Sequence, residues 1–100
     1  MVIALLCVLV AGQAQAAGTR VKVGDDYYRS GTVHVHRGAA VTWHWAGRRR
    51  HDVYFTSGRG RPARCKSRRR GSCSRRFPRR GSYSYVCTLH ADMRGRVVVR

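Results

Sequence analysis

Residues 81–99 read GSYSYVCTLHADMRGRVVV, and they carry the argument for fold and chemistry together. Tyr83, Tyr85 and Cys87 occupy alternate positions, so an extended chain turns all three to one side. The alternation stops at Cys87. Cys87, His90 and Met93 then follow at three-residue steps through CTLHADM, and the apolar run Val97 to Val99 closes the segment as a strand suited to burial between neighbours. A thiol, an imidazole and a thioether thus sit on a tight loop between two strands, either to meet on a metal or to pass through a core.

Upstream, the same period of two recurs. Val21 and Val23, Val33 and Val35 in TVHVH, Val41, Trp43 and Trp45 in AVTWHWA, and His51, Val53 and Phe55 in HDVYFTS each share one face. No stretch after the N-terminal region has a helical period. Turn residues at Gly24, Gly31, Gly38, Gly47, Gly58, Gly71, Gly81 and Gly95 punctuate the pattern, which predicts an all-β Greek-key β-sandwich of seven to eight strands. The basic loop at 57–72, SGRGRPARCKSRRRGS, offers almost nothing apolar and is expected to be the least ordered part. His34, His36 and His44 alternate with apolar neighbours and face away from the core, so they are not read as ligands. Trp43 and Trp45 share their parity with Val41, which assigns them to the core rather than to a base-stacking platform and argues against nucleic acid as a partner.

The N-terminal run VIALLCVLVA, Val2 to Ala11, is too short to span a bilayer and precedes Ala14-Gln15-Ala16, a small-residue cleavage pattern. Residues 1–16 therefore read as a removable signal peptide and 17–100 as one domain, exported to the periplasm or the extracellular space. Cys7 leaves with the signal. Export permits disulfides, and Cys65, Cys73 and Cys87 remain, an odd number. Cys65 and Cys73 bracket a polar segment able to close a small loop, which leaves Cys87 for chemistry. The formal charge is +17, with 19 Arg, 2 Lys, no Glu and only Asp25, Asp26, Asp52 and Asp92 in opposition, so an acidic protein or an anionic membrane surface is an electrostatically natural partner. The chain is expected to be a monomer.

Cys-x-x-His-x-x-Met suits copper, because soft sulfur favours Cu(I) while imidazole accepts both oxidation states. A fourth ligand is missing locally. His51 begins a strand on the apolar parity, and in a sandwich the start of one strand lies readily beside the end of an antiparallel neighbour. Two imidazoles, a thiolate and a weak axial thioether describe a blue-copper electron-transfer site. The rival metal is zinc on Cys65, Cys73, Cys87 and His90, but that spacing lacks the short paired knuckles of structural zinc.

VKVGDDYYRSGTVHVHRGAAVTWHW, then HDVYF, then GSYSYVCTLHADMRGRVVV resemble the cupredoxins, the plastocyanin and amicyanin family of blue copper proteins, from Val21 to Val99 less the arginine-rich insert. The two residues between His90 and Met93 are similar to the short ligand loop of amicyanins. The resemblance implies one copper cycling between Cu(II) and Cu(I), with His51, Cys87, His90 and Met93 as metal ligands and His90 at the surface as the electron exit. It also implies a hydrogen bond between Asp52 and Thr88, although many members carry Asn where this chain has Asp52, and a core role for at least one of Tyr27 and Tyr28. The function so implied is single-electron transfer between redox protein partners, without enzymatic activity. A copper carrier using the same ligands and a cationic binding module on the same fold are the alternatives. If the ligand segments converge, Arg48, Arg49, Arg50, Arg94 and Arg96 gather near the copper and favour partners with an acidic docking surface.

Overall fold

The computed structural model describes residues 18–100, so the signal read at residues 1–16 lies outside the described residues. Nine strands form: β1 (Thr19–Gly24), β2 (Tyr27–Arg29), β3 (Thr32–Val35), β4 (Ala40–Trp45), β5 (His51–Phe55), β6 (Cys65–Arg68), β7 (Gly71–Arg76), β8 (Gly81–Val86) and β9 (Arg94–Val99). They make two sheets, ordered β2-β1-β4-β7 and β3-β9-β8-β5-β6. No helix occurs among the described residues.

The period-two pattern acts as a two-layer sandwich requires. On β4, Val41, Trp43 and Trp45 are buried while Ala40, Thr42 and His44 are half-exposed. Its neighbours are β1, parallel, and β7, antiparallel. On β9, Val97 and Val99 are buried and Val98 between them is half-exposed, so VVV alternates like the other strands instead of being covered on both faces. The Trp43 ring meets Phe55 and Tyr85 edge-on at centroid distances of 5.8 and 5.4 Å. Phe77 packs against Tyr83 at 5.1 Å. Each such aromatic pair adds about 0.5–1.5 kcal/mol to the burial of its rings. Phe77 is fully buried although it lies among arginines in RRFPRR, where no alternation announces it.

The sandwich expected from the sequence is present, with nine strands among the described residues against about seven to eight expected, the excess coming from the three-residue β2 and from the arginine-rich segment. One expectation is corrected. The basic loop at 57–72 is not uniformly irregular, since it contains β6 and the start of β7. What substitutes for apolar burial there is covalent and polar. Cys65 and Cys73 are joined by a disulfide across 6.1 Å between Cα atoms, and Cys65 is fully buried. The Arg61 guanidinium donates to the Thr56 carbonyl at 2.7 Å, and that of Arg75 donates to the carbonyls of Ala63 and Arg64 at 2.8 and 2.9 Å. Arginine side chains thus satisfy backbone acceptors that a loop leaves to water.

The topology brings three connections to one end. β5 and β8 are antiparallel with Tyr54 opposite Val86, so the start of β5 and the residues just beyond the end of β8 meet at one end of the sheet, where the His51 ring reaches Cys87. The loop from Cys87 is closed by the Cys87 amide donating to the Met93 carbonyl at 3.0 Å. Val23 of β1 pairs with Trp45 of β4, which sets the β1–β2 turn, Asp25 and Asp26, beside the segment leading to His51.

Candidate metal centre

His51, Cys87 and His90 converge. Cys87 Sγ lies 3.8 Å from His51 Nδ1 and 3.6 Å from His90 Nδ1, and the two rings are 4.6 Å apart, centroid to centroid. Their three donor atoms all fall within 4.8 Å of one another. His51 is completely buried, Cys87 nearly so, and the His90 side chain keeps 23% of its surface exposed. Met93 is buried at the far end of the same loop, 2% exposed.

The spacing fits a metal. With metal–sulfur and metal–imidazole bonds of about 2.3 and 2.0 Å, a trigonal angle of about 120° puts sulfur and nitrogen about 3.7 Å apart, matching both sulfur–nitrogen separations. One thiolate and two imidazoles in such an arrangement suit copper in both of its biological oxidation states. The competing zinc set is dismantled, because Cys65 and Cys73 are consumed by their disulfide. Cys87 is the free cysteine among the described residues. Burial pushes its thiol up, opposed in part by hydrogen bonds from the backbone of Asp52 and Leu89, so metal binding must displace a proton.

Asp52 is 1% exposed. Its carboxylate accepts the Thr88 amide at 2.7 Å and the Thr88 hydroxyl at 2.6 Å, which ties the segment carrying His51 to the one carrying Cys87. Two core rings hold the backbone of the same pair: the Trp45 indole N–H donates to the His51 carbonyl at 2.8 Å, and the Tyr28 hydroxyl to the Asp52 carbonyl at 2.6 Å. Of the two tyrosines after β1, Tyr28 is core and Tyr27 is exposed. His34 and His36 are exposed and His44 is half-exposed, none of them in the cluster.

Sequence reasoning missed Asp25 and Asp26. Asp25 Oδ1 stands 3.1 Å from His51 Nε2, and Asp26 Oδ1 stands 3.5 Å from His90 Nε2. Asp25 also accepts the amides of Arg48 at 3.0 Å and Arg49 at 2.9 Å. The Arg49 amide first, then the His51 ring and the Arg48 amide, hold the Asp25 carboxyl well below the usual carboxylate range. The only local signal was the DD pair after a glycine, with Asp26 adopting a left-handed φ of 69° that Asp tolerates better than most residues. Arg49 pairs with Asp26 at 3.2 Å, so part of the positive charge gathered before His51 is neutralised on the spot.

No protein-family model matches the chain. Over 90 residues it is 34% identical to amicyanin-alpha of Methylorubrum extorquens, a match that covers 87% of this chain and 76% of that relative. Over 82 residues it is 36% identical to amicyanin of Paracoccus denitrificans, covering 79% of this chain and 63% of the relative. Among solved structures, the reduced Cu(I) form at pH 4 of an amicyanin variant superposes with a TM-score of 0.71 at 30% identity, covering 84% of this chain and 83% of that one. An oxidised amicyanin variant does so with a TM-score of 0.71 at 32% identity and the same coverages. The sandwich and the cluster at its end define the blue copper class of protein. Within that class the chain belongs to the amicyanin family of cupredoxins. It is an electron carrier rather than an enzyme, and its cofactor is one copper ion cycling between Cu(II) and Cu(I).

Proposed function

We propose that His51, Cys87, His90 and Met93 would hold the copper, the first three through Nδ1, Sγ and Nδ1 and Met93 through its thioether. The observation that carries this is the convergence of two Nδ1 atoms on one buried, unpaired Sγ. Bound there, copper supplies a one-electron couple. The protein's part is to keep its ligands still. Asp52 and Thr88 lock the two ligand segments together, and Trp45 and Tyr28 fix the backbone of His51 and Asp52 from within the core, so the same geometry serves both oxidation states. His90, the more exposed of the two imidazoles, is the electron exit.

The partners are redox proteins, with acidic docking surfaces favoured by the formal charge of +17. Residues 1–16 act as a signal, and the protein works as a monomer in the periplasm or outside the cell, where the Cys65–Cys73 disulfide persists. The test is the visible spectrum of the copper-loaded protein. An intense thiolate-to-Cu(II) charge-transfer band is expected in the wild type and none in Cys87→Ser; a colourless wild type that prefers zinc under oxidising conditions overturns the reading.

A further inference from the structure

The completely buried imidazole of His51 has both ring nitrogens engaged. Nδ1 faces Cys87 Sγ at 3.8 Å, and Nε2 faces Asp25 Oδ1 at 3.1 Å. What Nε2 does is decided by its partner. Asp25 Oδ1 accepts the Arg49 amide at 2.9 Å, and both its oxygens lie 3.0 Å from the Arg48 amide. A carboxylate held by backbone N–H groups acts as an acceptor, so the proton of the His51 contact belongs to Nε2, and Nδ1 presents its lone pair towards the sulfur.

We propose that Asp25 is a positioning residue of the copper centre, locking His51 in the Nε2–H form and, through its negative charge, favouring oxidised over reduced copper. This rests on His51 being a ligand, as argued above. A carboxylate on the distal nitrogen of a ligating histidine fixes the ring's orientation and raises its basicity, and loss of such a partner commonly costs about 10–100-fold in metal affinity. Here the carboxylate comes from a turn 26 residues away in sequence and is pinned to the loop that delivers His51. It therefore fixes the ring and the approach of its backbone together. The neighbouring Asp26 stands towards His90 Nε2 at 3.5 Å, so the outer edges of both imidazoles face one acidic turn on an otherwise strongly basic chain.

A purely structural role, pinning the loop through the two amides, would change stability but not the balance between oxidation states. The experiment uses the copper-loaded protein as wild type, Asp25→Asn, Asp25→Ala and Asp92→Asn, and reads the reduction potential by equilibrium redox titration. Asp92 is exposed, follows His90 by two residues and removes the same formal charge without touching an imidazole. Both Asp25 variants are expected to shift the ratio of Cu(I) to Cu(II) affinity towards Cu(I) by about tenfold or more, which is about 59 mV per tenfold for one electron. Asp92→Asn is expected to shift it far less. In wild-type Cu(I) protein, the Nε2–H of His51 is expected as a slowly exchanging, downfield proton resonance with cross-peaks to the Arg48 and Arg49 amides. Unmoved potentials in the Asp25 variants, a shift matched by Asp92→Asn, or a freely exchanging Nε2–H each overturn the proposal. The last decides the matter even if the variants do not fold. A wild type that binds no copper and shows no visible band removes the ligand assignment itself, whereas a blue wild type with unmoved variants removes only the role of Asp25.

Discussion

At Cys87 one side chain is asked to be both core and chemistry. It is 4% exposed and continues the buried face of Tyr83 and Tyr85, yet its sulfur is the point on which two imidazoles close. That double role made the residue legible: its parity predicted burial, and the three-residue steps to His90 and Met93 predicted ligands. His51 was legible for the same reason, as a polar residue on an apolar parity. Asp25 was not, because its importance arises from a turn packing against a loop, and nothing local distinguishes it from a solvated aspartate. As the proposed thioether ligand, Met93 is expected to bear on the same balance of oxidation states. Met93→Leu is expected to leave a coloured centre with a raised potential, since losing a weak axial donor destabilises Cu(II) more than Cu(I). Redox titration checks this, and an unchanged potential takes Met93 out of the site.

At the scale of elements, strands with alternating apolar residues were readable and those without were not. β1, β4, β5 and β8 announce themselves through their valines and aromatics. β6, CKSR, and β7, GSCSRR, carry no such stripe; their backbones pair with β5 and β4, and a disulfide and arginine-to-carbonyl bonds tie the two segments to each other. Phe77, just beyond β7, was hidden by its arginine neighbours for the same reason. If the disulfide organises this crossover between the sheets, reducing it or replacing both Cys65 and Cys73 by Ala should cost about 2–3 kcal/mol for so short a loop. Urea unfolding with and without reductant measures the difference; coincident curves would assign the order of the crossover to its hydrogen bonds alone.

For the whole molecule, two sets of titratable groups matter. Burial pushes the Tyr28 hydroxyl well above its ordinary range and that of Tyr85 up to about 12, from an ordinary 10.0. Groups raised in the folded state contribute stability that is fully present below the unfolded value and lost as pH rises through the folded one. The protein is therefore expected to lose stability from about pH 10 upward, and Tyr85→Phe should flatten that slope, as thermal unfolding against pH would show. The arginines form the second set. Arg48, Arg49 and Arg50 lead into His51, but Asp25 and Asp26 stand among them, so the net charge beside the copper ligands is smaller than the sequence suggested. The electron-transfer rate with an acidic partner should still fall with ionic strength because the chain as a whole is so basic. Changing all three arginines to Gln should reduce that dependence only in part; an undiminished slope would assign the steering to arginines elsewhere.

The passage from β6 to β7 carries the chain directly from the edge of one sheet to the edge of the other. An unpaired strand edge invites another copy of the chain to add itself, backbone to backbone, and the usual deterrents are brevity and charge. Both are present here: β2 has three residues and ends in Arg29, β6 has four and carries Lys66 and Arg68, and β7 ends in Arg75 and Arg76. Four of the 19 arginines, Arg29, Arg68, Arg75 and Arg76, thus stand on edge strands, where charge opposes such addition, a use of charge that needs no partner at all.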